Sequence, residues 1–540
     1  MRSTMLLRLR LSPLLVALAL CAGASTAAGA GFWGQDFNIS GGDVNETLTG
    51  LTGQRFAAVD DSNNLYIAFH DNRHKTGNDD NFEIFFRRFV FNFGSPSITR
   101  VTNAHNPSRN VAIATRNWGQ TDPGTVADSG RLYLAWQDAR LFSIPLSGPP
   151  KSFTIFFRTF MSRGGEGFGP EIQVSPYDSL NVADPPVTAC GDSSRVWIVY
   201  PKGENLGTNT NLYVAVYNAL TRTMGPEQLL VSGAPKATLP SIAASKDGVV
   251  HVVWSDNRVG GVNQIWTKRF VPGSGWTTEQ QLVFSTGVST AANLIASYSG
   301  KVHMVWQDTR DGNNEVYYKE YVPGTGWDPV DVRLTTQVNT QREAQIDADP
   351  MDNLYVVWTD QRNGAANQDI FYRERMGGLW QPEMSLVGAG TDTTNQVQQF
   401  PGITHDGTGK SYVTWTDWRL PASSGRNKDV FYKEGIGVVT SVEATPAPTF
   451  SKLLRNYPNP FNPLTKIAFR MERDAQVSLR VYDIQGRLVR SLVDDYLAAG
   501  PRVVEWDGAD DQGHPVASGT YYLRLQGGGK YLSRAVNLLK

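Results

Sequence analysis

The sequence predicts an all-β protein, a seven-bladed β-propeller followed by a small β-sandwich. Three observations carry this expectation. One phrase, aromatic-x-Asp-x-Arg, recurs down the chain; each copy sits in a unit of four short runs separated by turn residues; and the grammar changes near Leu453. Composition agrees, because 52 Gly and 29 Pro punctuate 540 residues of which 11% are aromatic. That mixture suits many short strands joined by tight turns.

The N-terminus comes first. Arg2, Arg8 and Arg10 precede an apolar run from Leu11 to Leu20 and then a small-residue stretch, so residues 1–30 read as a secretory signal. The run is short for a bilayer, and no later stretch offers the roughly 20 apolar residues of a spanning helix, so no transmembrane segment is expected in the mature chain. Leu20 before Cys21 argues against lipidation, and cleavage between Ala24 and Ala30 leaves Cys190 alone, which excludes an internal disulfide. Lysine plus arginine (50) nearly cancel aspartate plus glutamate (51). Without a basic footprint, nucleic acid is not expected as a partner.

The repeat spans residues 31–438. YIAFHDNR, YLAWQDAR, HVVWSDNR, HMVWQDTR, YVVWTDQR and YVTWTDWR are each followed by an aromatic run, EIFFRRF, TIFFRTF, QIWTKRF, EVYYKEY, DIFYRER and DVFYKEG. A divergent copy, WIVYPKGEN, places Lys202 where the others carry aspartate. Each unit divides into four alternating or β-branched runs joined by hairpin-like turns, which is the layout of a propeller blade. Ala243, Ala244, Ala292, Ala296, Ala344 and Ala348 suit the crowded strand nearest the axis, and Trp254, Trp306, Trp358 and Trp415 suit the space between blades. The last unit lacks a fourth strand, whereas an orphan run, Gln35 to Ser40, precedes the first. Using that run as the outer strand of the seventh blade closes the ring and hides an edge.

The repeated pairs are Asp71 and Arg73, Asp138 and Arg140, Asp256 and Arg258, Asp308 and Arg310, Asp360 and Arg362, and Asp417 and Arg419. Residues two apart on a strand share a face. A feature present in six blades belongs to the architecture, so these pairs read as blade staples; the competing reading gives Asp256, Asp308 and Asp360 to calcium or sugar. No cofactor is expected otherwise, and no metal-ligand spacing occurs among the seven histidines. Cys190, in VTACGD, reads as a small core residue.

These repeats resemble the degenerate BNR-like repeats of sialidase-like propellers over roughly residues 35–436. Sialidases have six such blades and Asp-boxes of the form Ser-x-Asp-x-Gly-x-x-Trp; here the nearest string, SKDGVVHVVW around Asp247, lacks that spacing. The resemblance implies an arginine triad, a tyrosine nucleophile with a glutamate partner, and an aspartate acid/base. Arg55, Arg109 and Arg342 precede inner strands and are the candidates for a shared anion-binding role, although their registers differ. No tyrosine and glutamate pair can be assigned from sequence.

After a linker at 439–452, residues 453–540 show strands TKIAFRM, QVSLRVYD, LVRSLV, PRVVEWDG, GTYYLRLQ and YLSRAVNLL with Asp/Gly-rich turns, enough for one Ig-like sandwich. The opening segment (Asn456, Pro458, Asn459, Pro460, Phe461, Asn462, Pro463), VYDIQGRLV, WDGADDQG and ASGTYYLRL resemble the type A sorting domain of the type IX secretion system. They are equally similar to the Ig-like domain of the flagellar hook-capping protein. The sorting resemblance implies passage to the outer surface of a Gram-negative-type bacterium, with outer-membrane secretion machinery as a partner. The expected function is a secreted or surface propeller that binds a glycan or protein ligand. The alternative is a glycan-active enzyme, a sialidase-like glycosidase or polysaccharide lyase, with an axial active site.

Overall fold

The computed structural model describes residues 32–539 apart from 34–35, 41–46, 50–53, 61–62, 74–80, 91–97, 116–129, 142–152, 163–166, 179–180, 192–193, 205–209, 233–235, 387–396, 407–408, 419–427, 437–449, 454–455, 457, 472–474, 486, 499 and 528–529. The proposed signal, Gln35, most of the linker and Arg419 thus lie outside the described residues. The chain divides into two compact units, Met1–Val438 and Val439–Lys540.

Seven antiparallel sheets follow one another in the first unit. Blade 4 shows the plan: Ala237–Ala244 is innermost, then Val250–Asp256 and Gln264–Val271, with an outer strand in two pieces, Gly275–Trp276 and Gln280–Gln281. The turn after the inner strand is tight because Gly248 takes a φ of 80°, a conformation open to glycine at little cost. The inner strands of blades 2, 4, 5, 6 and 7 each shift register once, beside Asn110, Leu239, Ala291, Glu343 and Phe400, all with φ between 50° and 59°. Such bulges bend the strands that line the axis.

Inner strands touch their neighbours in sequence around the ring, and that of blade 7, Gln398–His405, touches Ala57–Val59 of blade 1. Gly402 permits this approach, since a Cβ there would lie 2.7 Å from the Phe56 ring. Blade 7 is built from both ends of the repeat region. Phe32–Trp33 and Phe37–Asn38 pair antiparallel with its third strand, Asp429–Ile436. The expected closing run is therefore narrowed to Phe37–Asn38, with a second piece upstream at Phe32–Trp33.

The core lies between blades rather than within one. Trp136, Trp254, Trp306, Trp358 and Trp415 are all fully buried, and each belongs to an apolar cluster drawn from two consecutive blades. A second device ties blade to blade. A basic residue in the middle of the third strand donates to a main-chain carbonyl near the outer edge of the preceding blade. Arg87 reaches Ile39, Arg158 reaches Val101, Lys268 reaches Leu230, Lys319 reaches Leu282 and Lys433 reaches Leu386, at 2.6–3.3 Å, and Arg373 reaches Leu334. Blade 3 is the exception, with Ala215 at the corresponding register. There the junction with blade 2 is filled by Phe157, Tyr133 and Tyr217.

The second unit packs the three-stranded sheet containing Thr465–Met471 and Gly500–Trp506 against a four-stranded sheet, with Ile467, Phe469, Leu479, Trp506, Leu523 and Val536 in the core. Its opening segment closes one edge. Phe461 is buried against Trp506, its N–H donates to the Asn537 carbonyl, and the Leu539 N–H donates back to its carbonyl. Asn456 is also buried and donates to the Thr465 hydroxyl, whereas Pro458, Asn459, Pro460, Asn462 and Pro463 are exposed.

Candidate functional site

The repeated aspartates are closed into the blades. In blade 4 the Asp256 carboxylate accepts the Trp254 indole N–H at 3.1 Å, the Arg258 main-chain N–H at 2.9 Å and the Arg258 guanidinium at 2.5 Å. Arg258 also pairs with Glu279 at 2.6 Å and lies over the Trp266 ring. The same set recurs around Asp138, Asp308 and Asp360, with Glu171, Asp331 and Glu383 as second carboxylates. Asp71 pairs with Arg73 at 2.7 Å, and Asp417 accepts from Trp415 at 2.8 Å. Burial opposes the charge of Asp308, yet hydrogen bonds from Arg310, Ser285 and Ser289 prevail and hold it below the usual carboxylate range. These oxygens are committed to protein donors. Among the described residues, no group of three or more His, Cys, Asp or Glu is placed to hold a metal.

The three candidate arginines do not converge. Arg109 lies over the Phe82 ring at 4.7 Å, and Arg342 donates to Gln368 at 2.9 Å. Arg109 and Arg342 sit on the same side of the inner-strand bulge, whereas Arg55 lies just before the inner strand Ala57–Val59, and of the three Arg55 alone lines the axial cavity.

That cavity, about 240 Å³, opens at the end of the inner strands where they turn into the second strands. Ala244, Ala296 and Ala348 give it room, and a smaller space of about 40 Å³ continues past Ala58, Ala114, Ala189 and Cys190. Three blades converge on one carboxylate. Asp347 of blade 6 accepts Arg55 of blade 1 on one oxygen at 3.1 Å, and on the other the His405 main-chain N–H of blade 7 at 3.0 Å. The His405 Nδ1 lies 3.1 Å from that second oxygen, and its ring stacks 4.1 Å from Tyr355. Burial works against the Asp347 charge, but the Arg55 guanidinium and the His405 hydrogen bond outweigh it and keep the carboxyl below its ordinary range. Tyr298, also lining the cavity, has its phenol pushed up by burial and then by Asp347 and Asp349, so it stays protonated and available as a donor. Lys246, Ser245 and Ser297 complete the polar wall.

Unlike the staples, this triad occurs once. At the register of Asp347 the other blades carry Ala58, Ala114, Ala189, Ala243, Ile295 and Thr404. Tyrosine and glutamate pairs, which sequence left unassigned, do occur in the third strands: Tyr318 with Glu320, Tyr372 with Glu374 and Tyr432 with Glu434. Their threefold repetition along a shared register marks them as another structural staple.

Fold and site define a seven-bladed propeller with a polar axial pocket, carrying an Ig-like sandwich. Residues 461–530 match the FlgD Ig-like domain family. No curated protein matches the chain. Among solved structures the chain is similar to PorZ, an essential bacterial surface component of the type-IX secretion system of Porphyromonas gingivalis, at 12% identity and a TM-score of 0.39. That match covers 90% of this chain, which spans 60% of the length of PorZ. Similarity extends to the polysaccharide lyase Uly1, with 11% identity, a TM-score of 0.46 and coverage of 76% and 98% of the two chains. It extends also to an alpha-L-arabinanase from Penicillium chrysogenum complexed with arabinobiose, with 13% identity, a TM-score of 0.39 and coverage of 60% and 94%.

Proposed function

We propose that this chain is a secreted or surface-displayed propeller that binds a neutral glycan in its axial pocket and is exported through its C-terminal domain. The observation that carries the reading is the Arg55, Asp347 and His405 cluster, which occurs once among the described residues while the Asp and Arg staples repeat from blade to blade. A constellation needed once for recognition is placed once. Arg55 is already engaged by Asp347, and the wall carries one further residue of each charge, Lys246 and Asp406. Such a site offers donors and acceptors without an excess of either charge, which suits hydroxyl groups. The Arg-rich, apolar N-terminus supports export, and the FlgD Ig-like match together with the segment Asn456–Pro463 supports a sorting role for residues 453–540.

A second reading, a glycan-active enzyme, is favoured by one contact. Asp347 holds the His405 ring by Nδ1, which is how a carboxylate orients an imidazole for proton transfer. A glycan array paired with a panel of 4-methylumbelliferyl glycosides separates the two. Binding to a neutral glycan, weakened about tenfold or more by Arg55→Ala and without turnover, supports the binder. Turnover abolished by His405→Ala establishes the enzyme instead.

A further inference from the structure

A second cavity lies on the rim, between blades 4 and 5, with a volume of about 440 Å³. It shares no lining residue with the axial pocket. Two features mark this junction. Phe284 stands two residues beyond the carbonyl that receives the Lys319 bond, and its side chain is 77% exposed. At three other stapled junctions the same place is held by Asn103, Ser232 and Thr336. Arg269 is the other. It occupies the register at which blades 5, 6 and 7 carry Glu320, Glu374 and Glu434, an exchange matched in blade 1, where Arg88 lies over the Phe160 ring of blade 2 at 6.0 Å. Instead of joining a tyrosine and glutamate pair in its own blade, Arg269 donates to the Tyr321 hydroxyl across the groove and lies over that ring at 5.1 Å.

None of Asn103, Ser232 and Thr336 is aromatic, so packing at this place does not require Phe284. Phe284 presents an apolar face on the wall of this cavity. The groove walls around it are polar: Thr278, Gln280 and Asp328 are exposed and line the same cavity. Hydroxyl, amide and carboxylate groups beside one aromatic face form the chemistry that recognises a saccharide, with a sugar ring laid on the phenyl and its hydroxyls bonded along the groove. Phe284 follows Leu282, which bonds to Ile265, and Arg269 lies four residues along the same strand. At roughly 3.3 Å per residue Ile265 and Arg269 stand about 13 Å apart, and Phe284 lies beyond Ile265, so the groove fits an oligosaccharide rather than a single ring. Lys268 and Lys319, which also line the cavity, are paired with Glu279 and Asp331, and Arg269 is offset by Asp328, so the ligand is neutral.

We propose that the groove between blades 4 and 5 is a second, rim-facing site for a neutral oligosaccharide, with Phe284 as its stacking platform and Arg269, Gln280 and Asp328 as its hydrogen-bonding wall. The site stands independently of the axial pocket. Calorimetric titration of the full chain with β-1,4-linked tetraoses of glucose, xylose and mannose tests it. The expected result is saturable binding of at least one tetraose by the Arg55→Ala variant, which removes the axial contribution, weakened about tenfold when Phe284→Ala is added and retained with Phe284→Trp. Phe284 is exposed, so its replacement leaves the fold intact, which the thermal midpoint verifies. Absence of binding by all three tetraoses, or equal affinity with and without Phe284→Ala in the Arg55→Ala background, overturns the proposal. Loss in Arg55→Ala with none in Phe284→Ala assigns the binding to the axial pocket and likewise overturns it.

Discussion

Replacing Lys319 by methionine removes one blade-to-blade tie while keeping the shape of the stem. In the native chain the Lys319 ammonium is 6% exposed, donates to the Leu282 carbonyl of blade 4 and pairs with Asp331 at 2.8 Å. The substitution deletes a charged donor, worth about 1.5–3 kcal/mol for a hydrogen bond of this type. Breaking a buried ion pair outright costs about 3–5 kcal/mol. Here Asp331 keeps Arg310 at 2.8 Å and retains 15% exposure, so its charge is not stranded and the lower range applies. The expected destabilisation is about 2 kcal/mol. Guanidinium unfolding followed by tryptophan fluorescence reads it, with Lys246→Met at the exposed pocket rim as the comparison, expected within about 0.5 kcal/mol of wild type. If Lys319→Met unfolds at the wild-type midpoint with an unchanged slope, the carbonyl ties do not stabilise the ring and the account of blade spacing fails.

Three further outcomes are expected. Burial lowers His70 and His251 to about 3 and His303 to about 4. The unfolded chain therefore takes up protons first, so stability is full above pH 6.5 and is lost as pH falls toward 4; three such groups give a loss of about 4 kcal/mol between pH 7.5 and 5.5, and a flat urea midpoint over that range would rule this out. Gly435→Val places a side chain where a Cβ already comes within 2.6 Å of the Trp33 ring, so the closing strand should detach, seen as fast amide exchange at Phe37 and Asn38. Phe461→Ala empties a core position beside Trp506 and should cost about 3–5 kcal/mol in the sandwich, read by differential scanning calorimetry of the full chain, where an unshifted trace would deny Phe461 its anchoring role.

The parts that repeat were legible in the sequence, because a blade writes its own strands and its own staple. Trp254, Asp256 and Arg258 lie within five residues, and their alternation on one strand predicts their meeting. The cross-blade ties were visible only as the basic residue inside each aromatic run. Their acceptors are main-chain carbonyls 37 to 57 residues earlier, which leave no side-chain signature. The axial triad was harder still. Asp347 and His405 are each a single departure within otherwise regular repeats, and Arg55 is separated from Asp347 by 292 positions. Arg55 was singled out with Arg109 and Arg342, but those two engage Phe82 and Gln368 and only Arg55 lines the axial cavity. Comparing each repeat position for its one exception, rather than for its consensus, would have found Asp347.

The central claim is that the once-only axial cluster is where this propeller meets its ligand. A crystal structure of the full chain soaked with the strongest neutral glycan from the array tests it most directly. The account predicts a sugar in the axial cavity with hydroxyls within hydrogen-bonding distance of Asp347 and Arg55, and its loss in Arg55→Ala. An axial cavity holding only water while the glycan sits elsewhere on the propeller would contradict it.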